Sequence, residues 1–165
     1  DKIQALEKLP LIWHFIGPIQ SNKTKAIAEN FDWVHSVDRE KIARRLSEQR
    51  TKDRRALNIC VQVNLSQEQN KSGTTLKNAA DICALVAQLP GLTLRGLMAI
   101  PAPQFNYQDQ RASFNELNLE FRALAARYPT MDTLSMGMSN DFEAAIAEGS
   151  TMIRIGTALF GSRPV

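Results

Sequence analysis

Cysteine is scarce in this chain: Cys60 and Cys83 are the only two, and they form no CxxC spacing. That excludes a disulfide framework and a cysteine-based zinc site, and it fits buried thiols in a reducing compartment. Long apolar runs are also missing. No stretch approaches the ~18 residues that a membrane span needs, and nothing resembles a signal peptide. The sequence contains neither GxGxxG nor GxSxG, so it lacks the dinucleotide fingerprint and the nucleophile elbow. The two histidines, His14 and His35, do not have metal-ligand spacing. Low-complexity segments, linkers and short repeats are absent, which leaves one domain over 1–165.

What is present is ordinary globular composition: 165 residues, 44% hydrophobic and 22% charged, enough to bury one core. The net charge of +3 is unevenly placed, because residues 38–55 hold eight basic and four acidic side chains, a local +4, against −1 elsewhere. No aromatic residue lies among those arginines to stack a base, so the run reads as a solvated helix and its exit loop rather than a nucleic-acid surface. The opening Asp-Lys-Ile has no initiator methionine. Ile3, Leu6 and Leu9 keep helical spacing, as though reading begins partway along an amphipathic helix.

Short period-2 apolar runs alternate with helical stretches. Strands are expected at 12–17, 33–37, 57–65, 93–99, 132–136 and 152–156, and helices at 21–30, 39–50, 75–88, 108–128 and 140–148. In the longest helix Phe114, Leu117, Phe121, Leu124 and Tyr128 recur along one stripe. In the helix over 75–88, Leu76, Ala79, Ala80, Cys83, Val86 and Ala87 share a face, and Pro90-Gly91 ends it. Strict alternation implies right-handed βαβ units and a parallel sheet, either doubly wound or a TIM-type barrel. The strand over 57–65 favours the barrel: Leu57, Ile59, Val61, Val63 and Leu65 face helices, while Asn58, Cys60, Gln62 and Asn64 face a polar interior. Six strands do not close an eight-stranded barrel, so the expectation is about six βα units, with the first two lying before Asp1.

In a barrel, ligands sit at the carboxyl ends of the strands, and phosphate is held by the loops after the last two. Those loops are Ser135-Met136-Gly137-Met138-Ser139, feeding a helix capped by Ser139 or Asn140, and Ile155-Gly156-Thr157, feeding a short helix over 158–160. Hydroxyls and free backbone N–H groups suit a dianion, and two such loops in succession outweigh the reading of each as plain turn chemistry. Period 2 sends Arg154 into the barrel, toward a structural carboxylate, a ligand ring nitrogen or an anion. His14 reads as a structural strand residue, Lys23 follows it, and the loop over 64–73 carries Lys71.

Four motifs carry a resemblance: HFIGPIQSNK at 14–23, NLSQEQNKSG at 64–73, GLMAIPAP at 96–103 and SMGMSNDFEAAIAEGSTMIRIGTALFG at 135–161. Together they resemble the pyridoxal phosphate homeostasis family, the YggS or proline-synthase co-transcribed type, and the resemblance spans the chain. It implies an α/β fold, the (β/α)8 TIM-type barrel of the alanine-racemase N-terminal-domain kind, with pyridoxal 5′-phosphate (PLP) at its mouth. Residue by residue, Ser135, Ser139, Gly156 and Thr157 match the phosphate-binding positions, with Met138 beside them. Arg154 matches the arginine facing the pyridine nitrogen, where a permanently protonated group leaves that nitrogen unprotonated. The family's Schiff-base lysine belongs to a first strand expected before Asp1; neither Lys23 nor Lys71 matches its motif.

What the resemblance implies for function is a cytoplasmic PLP carrier of vitamin B6 homeostasis rather than an enzyme, monomeric when complete. Its partners would be PLP and PLP-requiring apo-enzymes, with no nucleic acid, membrane or metal. The rivals are a PLP-dependent racemase or decarboxylase on the same barrel, and a phosphate-binding barrel enzyme that does not use PLP. The first usually adds a β-domain, for which nothing after Thr157 has the length; the second leaves the four motifs unexplained.

Overall fold

The computed structural model describes residues 2–66 and 72–161. A short helix α1 (Lys2–Ala5) precedes strand β1 (His14–Phe15). Then α2 (Thr24–Asn30), β2 (Trp33–Val37), α3 (Glu40–Gln49), β3 (Leu57–Val63), α4 (Leu76–Gln88), β4 (Leu92–Ala99) and α5 (Tyr107–Ala125) alternate. The chain closes with β5 (Thr133–Ser135), α6 (Phe142–Ala147) and α7 (Thr157–Phe160). All strand pairs are parallel, in the order β1-β2-β3-β4-β5. Each strand therefore lies beside the next in sequence, which is the winding of a barrel wall and not of a doubly wound sheet.

The helices form close to their expected spans, with ends fixed by caps that the apolar spacing did not indicate. Thr75 caps α4 by accepting from the Asn78 N–H at 3.3 Å, and Asn106 caps α5 by accepting from the Gln108 N–H at 2.8 Å. The buried face of α4 is Ala79, Ile82, Cys83 and Val86; Ile82 joins it, whereas Ala87 points to solvent. Phe114, Leu117 and Leu124 of α5 are buried, with Phe121 and Tyr128 packed against them. The helix is three residues shorter at its carboxyl end than its apolar stripe suggests. The basic stretch over 38–55 is partly engaged within the fold. Arg39 pairs with Asp38 and Arg44 with Glu40, while Arg50 donates to the carbonyls of Ala28, Phe31 and Arg55.

Two apolar groups sit on opposite faces of the sheet. Leu57, Ile59, Val61 and Val63 of β3 join the helices in the main core, while Cys60 packs with Trp33 and Met98 on the inner face. Strand β4 does not keep strict alternation. Ile59 pairs with Leu94 but Cys60 pairs with Gly96, so β4 carries one extra residue there. Such a bulge shifts the parity of everything after it. Leu94 and Leu97 both reach the main core, while Met98 turns inward. Gly96 is required at this bend: a Cβ there would lie 1.6 Å from the Thr133 carbonyl oxygen.

The sixth strand expected over 152–156 reduces to a single bridge between Ser135 and Met152. The two segments do run side by side, with Met136 N–H donating to Met152 O at 3.2 Å and Arg154 N–H to Gly137 O at 2.9 Å. The ladder is interrupted because Thr151 Oγ1 takes the Leu134 N–H at 2.8 Å, and because Gly137 turns the chain at φ +94°. That turn lets α6 pack closely, since a Cβ on Gly137 would meet Ala145 Cβ at 2.6 Å.

Candidate functional site

The carboxyl ends of the strands gather the motif segments. Ser36 Oγ donates to Gly17 O at 2.7 Å, tying the loop after β1 to β2. The Ala102 N–H donates to Ser66 Oγ at 2.9 Å, joining the loops that leave β3 and β4. Thr74 N–H donates to Gln62 O and Asn64 N–H to Thr74 O, both at 2.8 Å, closing the base of the loop from β3. The tip of that loop, with Lys71, lies outside the described residues.

The two loops proposed from the sequence to hold an anion are also tied at their tips. The Ala158 N–H, in the first turn of α7, donates to Ser139 Oγ at 3.2 Å. Met138, Ser139, Arg154, Gly156 and Thr157 all line a single cleft of about 550 Å³, walled by Pro101, Pro103, Phe105 and Gln110. A second hollow of about 830 Å³ adjoins it, sharing Met138, Arg154 and Gly156 and extending to His14 and His35. Gly156 has nothing within 4 Å of where a Cβ would stand, so its backbone faces open space. The backbone N–H groups of Gly156 and Thr157 make no hydrogen bond among the described residues. Helix α6 begins two residues later than expected, at Phe142: Asp141, not Ser139 or Asn140, holds the N-cap position and accepts from the Met138 N–H at 2.6 Å. Ser139 is thereby left to face the cleft.

Arg154 enters the barrel interior as its parity requires. Its partners are not carboxylates: NH1 donates to Ser135 Oγ at 2.7 Å and NH2 to the Ala99 carbonyl at 2.8 Å. Burial lowers the pKa of the guanidinium, which the Asp141 carboxylate partly opposes. An arginine stays protonated in such surroundings, so a cation held by neutral oxygens presents its charge to the cleft.

Ser135 is the exception among the expected site residues. Fully buried, at 0% exposure, it does not line the cleft with the other five. Its hydroxyl lies 3.0 Å from His35 Nδ1, besides accepting from Arg154. His35 Nε2 in turn lies 2.9 Å from His14 Nδ1, and the His14 ring stacks on Trp33 at 5.3 Å. Burial, then the neighbouring His14 and Arg154, push the His35 pKa down to about 4. The reading of His14 as a structural strand residue overlooked this chain of contacts, and His35 had no motif to recommend it. The available signal was parity alone: both histidines stand at inward positions of adjacent strands. Lys23 lines a separate groove of about 610 Å³ beside Phe15 and Phe31, away from Arg154. Among the described residues, no group of His, Cys, Asp and Glu could hold a metal ion.

Comparison with known proteins identifies the family. Residues 6–164 match the family described as alanine racemase, N-terminal domain. The pyridoxal phosphate homeostasis protein of Escherichia coli K12 is 52% identical over 166 residues, covering 99% of this chain and 71% of its own length. That of Pseudomonas aeruginosa is 58% identical over 162 residues, covering 98% of this chain and 69% of its own. Among solved structures, PipY of Synechococcus elongatus with PLP bound superposes with a TM-score of 0.85 at 35% identity, over 97% of this chain and 76% of that one. Diaminopimelate decarboxylase from Helicobacter pylori, at 11% identity and a TM-score of 0.69, shares the fold. The chain belongs to the alanine racemase N-terminal domain family and, within it, to the pyridoxal phosphate homeostasis proteins.

Proposed function

We propose that this chain is a PLP-binding domain that serves vitamin B6 homeostasis by holding or delivering the cofactor without turning it over. The observation that carries the reading is the convergence of Met138, Ser139, Arg154, Gly156 and Thr157 on one cleft at the carboxyl end of a parallel sheet. The donor set fits the group. Hydroxyls of Ser139 and Thr157 and the N–H groups of Gly156 and Thr157 suit a phosphate, and the open space over Gly156 admits its close approach. The cation of Arg154, held by Ser135 at 2.7 Å and the Ala99 carbonyl at 2.8 Å, lines the same cleft and would donate to the ring nitrogen. When bound, PLP supplies an electrophilic aldehyde and an electron sink. Arg154 moderates that sink by withholding a proton from the ring nitrogen, which favours carriage over catalysis.

In this reading Met138 packs against the ring, PLP-requiring apo-enzymes receive the cofactor, the complete protein is a monomer, and the compartment is the cytoplasm. Buried, unpaired Cys60 and Cys83 suit a reducing compartment, and among the described residues no helix is long and apolar enough to cross a membrane. The test is PLP titration of the wild type and Thr157→Val, with amino-acid racemisation and decarboxylation measured alongside. Loss of one hydroxyl donor to a dianion is expected to weaken PLP by roughly 0.5–3 kcal/mol. Unchanged affinity would remove Thr157 from the site, and robust turnover would make the protein an enzyme.

A further inference from the structure

The cleft is backed by a buried polar chain that runs Arg154, Ser135, His35, His14. Its proton positions follow from counting. Arg154 has only donors, so Ser135 Oγ accepts from it at 2.7 Å. Ser135 is wholly buried, and its single hydroxyl hydrogen has one remaining neighbour within reach, His35 Nδ1 at 3.0 Å. His35 Nδ1 is therefore the acceptor, and the ring carries its proton on Nε2. That proton goes to His14 Nδ1 at 2.9 Å, which places the His14 proton on Nε2. In this arrangement the buried hydrogens of Ser135 and His35 both have an acceptor. The reverse direction would leave the Ser135 hydrogen buried without one, at the cost of an unsatisfied donor. Trp33 holds the far end: it stacks on His14 with ring planes 8° apart and leans on His35 at 5.7 Å.

We infer that Ser135 and His35 are positioning residues for the Arg154 guanidinium, and that Ser135 serves this chain instead of contacting phosphate. The inference rests on the cleft being a PLP site and adds to it a division of labour. Ser139, Gly156 and Thr157 are left for the phosphate, while Ser135 and His35 govern only how the ring is met. Two features support the division. Ser135 is absent from the cleft lining that contains the other five expected residues. Its single hydrogen is committed to His35 and one lone pair to Arg154, so it has no hydrogen left to donate to a phosphate. Without the Ser135 hydroxyl, Arg154 would keep a single described partner, the Ala99 carbonyl at 2.8 Å, and could swing about it.

The experiment separates ring from phosphate by using three probes on the purified protein: PLP, pyridoxal and inorganic phosphate. Ser135→Ala and His35→Leu are expected to weaken PLP and pyridoxal by about tenfold, as for a hydrogen bond to a charged group. Inorganic phosphate, measured as a competitor of PLP, should bind as it does to the wild type. His35→Asn, whose amide oxygen can stand in for Nδ1, should recover most of the lost affinity. In an Arg154→Met background, Ser135→Ala should cost nothing further, which a general loosening of the fold would not produce. Should His35→Leu fail to fold, Ser135→Ala carries the test with the loss of one oxygen atom. Weaker inorganic phosphate and PLP with unchanged pyridoxal would make Ser135 a phosphate ligand and overturn the inference, as would additive losses with Arg154→Met. A wild type that binds no PLP would overturn the proposed function itself, and this inference with it; normal PLP binding with silent Ser135 and His35 variants would overturn this inference alone.

Discussion

Gly96→Ala is the smallest change that should disable this protein from a distance. The added Cβ would lie 1.6 Å from the Thr133 carbonyl oxygen and 2.6 Å from its carbon, both backbone atoms that cannot rotate away. Carbon atoms normally approach a carbonyl oxygen no closer than ~3.3 Å, so β4 and β5 must part by well over an ångström. Those strands pair only through Gly96–Thr133, Leu97–Leu134 and Met98–Ser135, with the Asp132 N–H adding a bond to Arg95 O at 2.9 Å. Loss of two such bonds at ~0.5–1.5 kcal/mol each, plus overpacking at ~1–3 kcal/mol, amounts to roughly 2–6 kcal/mol. Domains of this kind hold only ~5–15 kcal/mol in total. Equilibrium urea unfolding of wild type and variant measures the difference, and PLP titration tests the site, because β5 ends at Ser135. A shift below about 1 kcal/mol with unaltered PLP affinity would show that the β4–β5 seam yields freely, against the close packing that proteins normally show.

Acid should also act through His35. Its folded pKa of about 4 lies below the ordinary ~6.5, so between those values the unfolded chain binds a proton that the native state refuses. Stability is then complete above ~pH 7 and falls by up to ~3 kcal/mol on acidification to ~pH 4; His35→Gln should flatten this part of a urea-midpoint profile against pH. Burial pushes the thiol of Cys83 up to about 12 and that of Cys60 up as well, so neither should react with a disulfide reagent at neutral pH until denaturant is added. Rapid native labelling would contradict the packing of Cys60 on the inner face and of Cys83 on the buried face of α4. Phe114→Ala empties the largest fully buried side chain of the helix layer and should cost about 3–5 kcal/mol by thermal or urea unfolding.

Much of the wall was readable from the order of residues because each βα unit is a local object. The apolar stripe of α5 and the alternation of β3 depend on neighbours within a few positions, so spacing alone reveals them. Strand β2 appears with its expected bounds, Trp33–Val37. The sixth strand is reduced to one bridge because its pairing depends on a distant donor: the Leu134 N–H of β5 goes to Thr151 Oγ1 instead of a ladder carbonyl. No local rule announces that. Register across a sheet is a long-range matter too, and the bulge at Arg95-Gly96 reverses the parity that period-2 reading would give to Leu97 and Met98.

The site divides along the same line. Sequence alone determined which loops the proposed site residues occupy: Ser139, Gly156 and Thr157 at the ends of the last two strand segments, and Arg154 turned inward by alternation. Tertiary structure decided what those residues share. It joined the two loops through Ser139 and Ala158, and it left Arg154 facing neutral oxygens instead of a carboxylate. It also drew Ser135 back from the cleft into contact with His35, one hundred residues earlier. Hydrogen bonds between positions that far apart leave no periodic trace, because each partner alone satisfies only the parity of its own strand. The contact exists only once parallel strands bring their inward faces together.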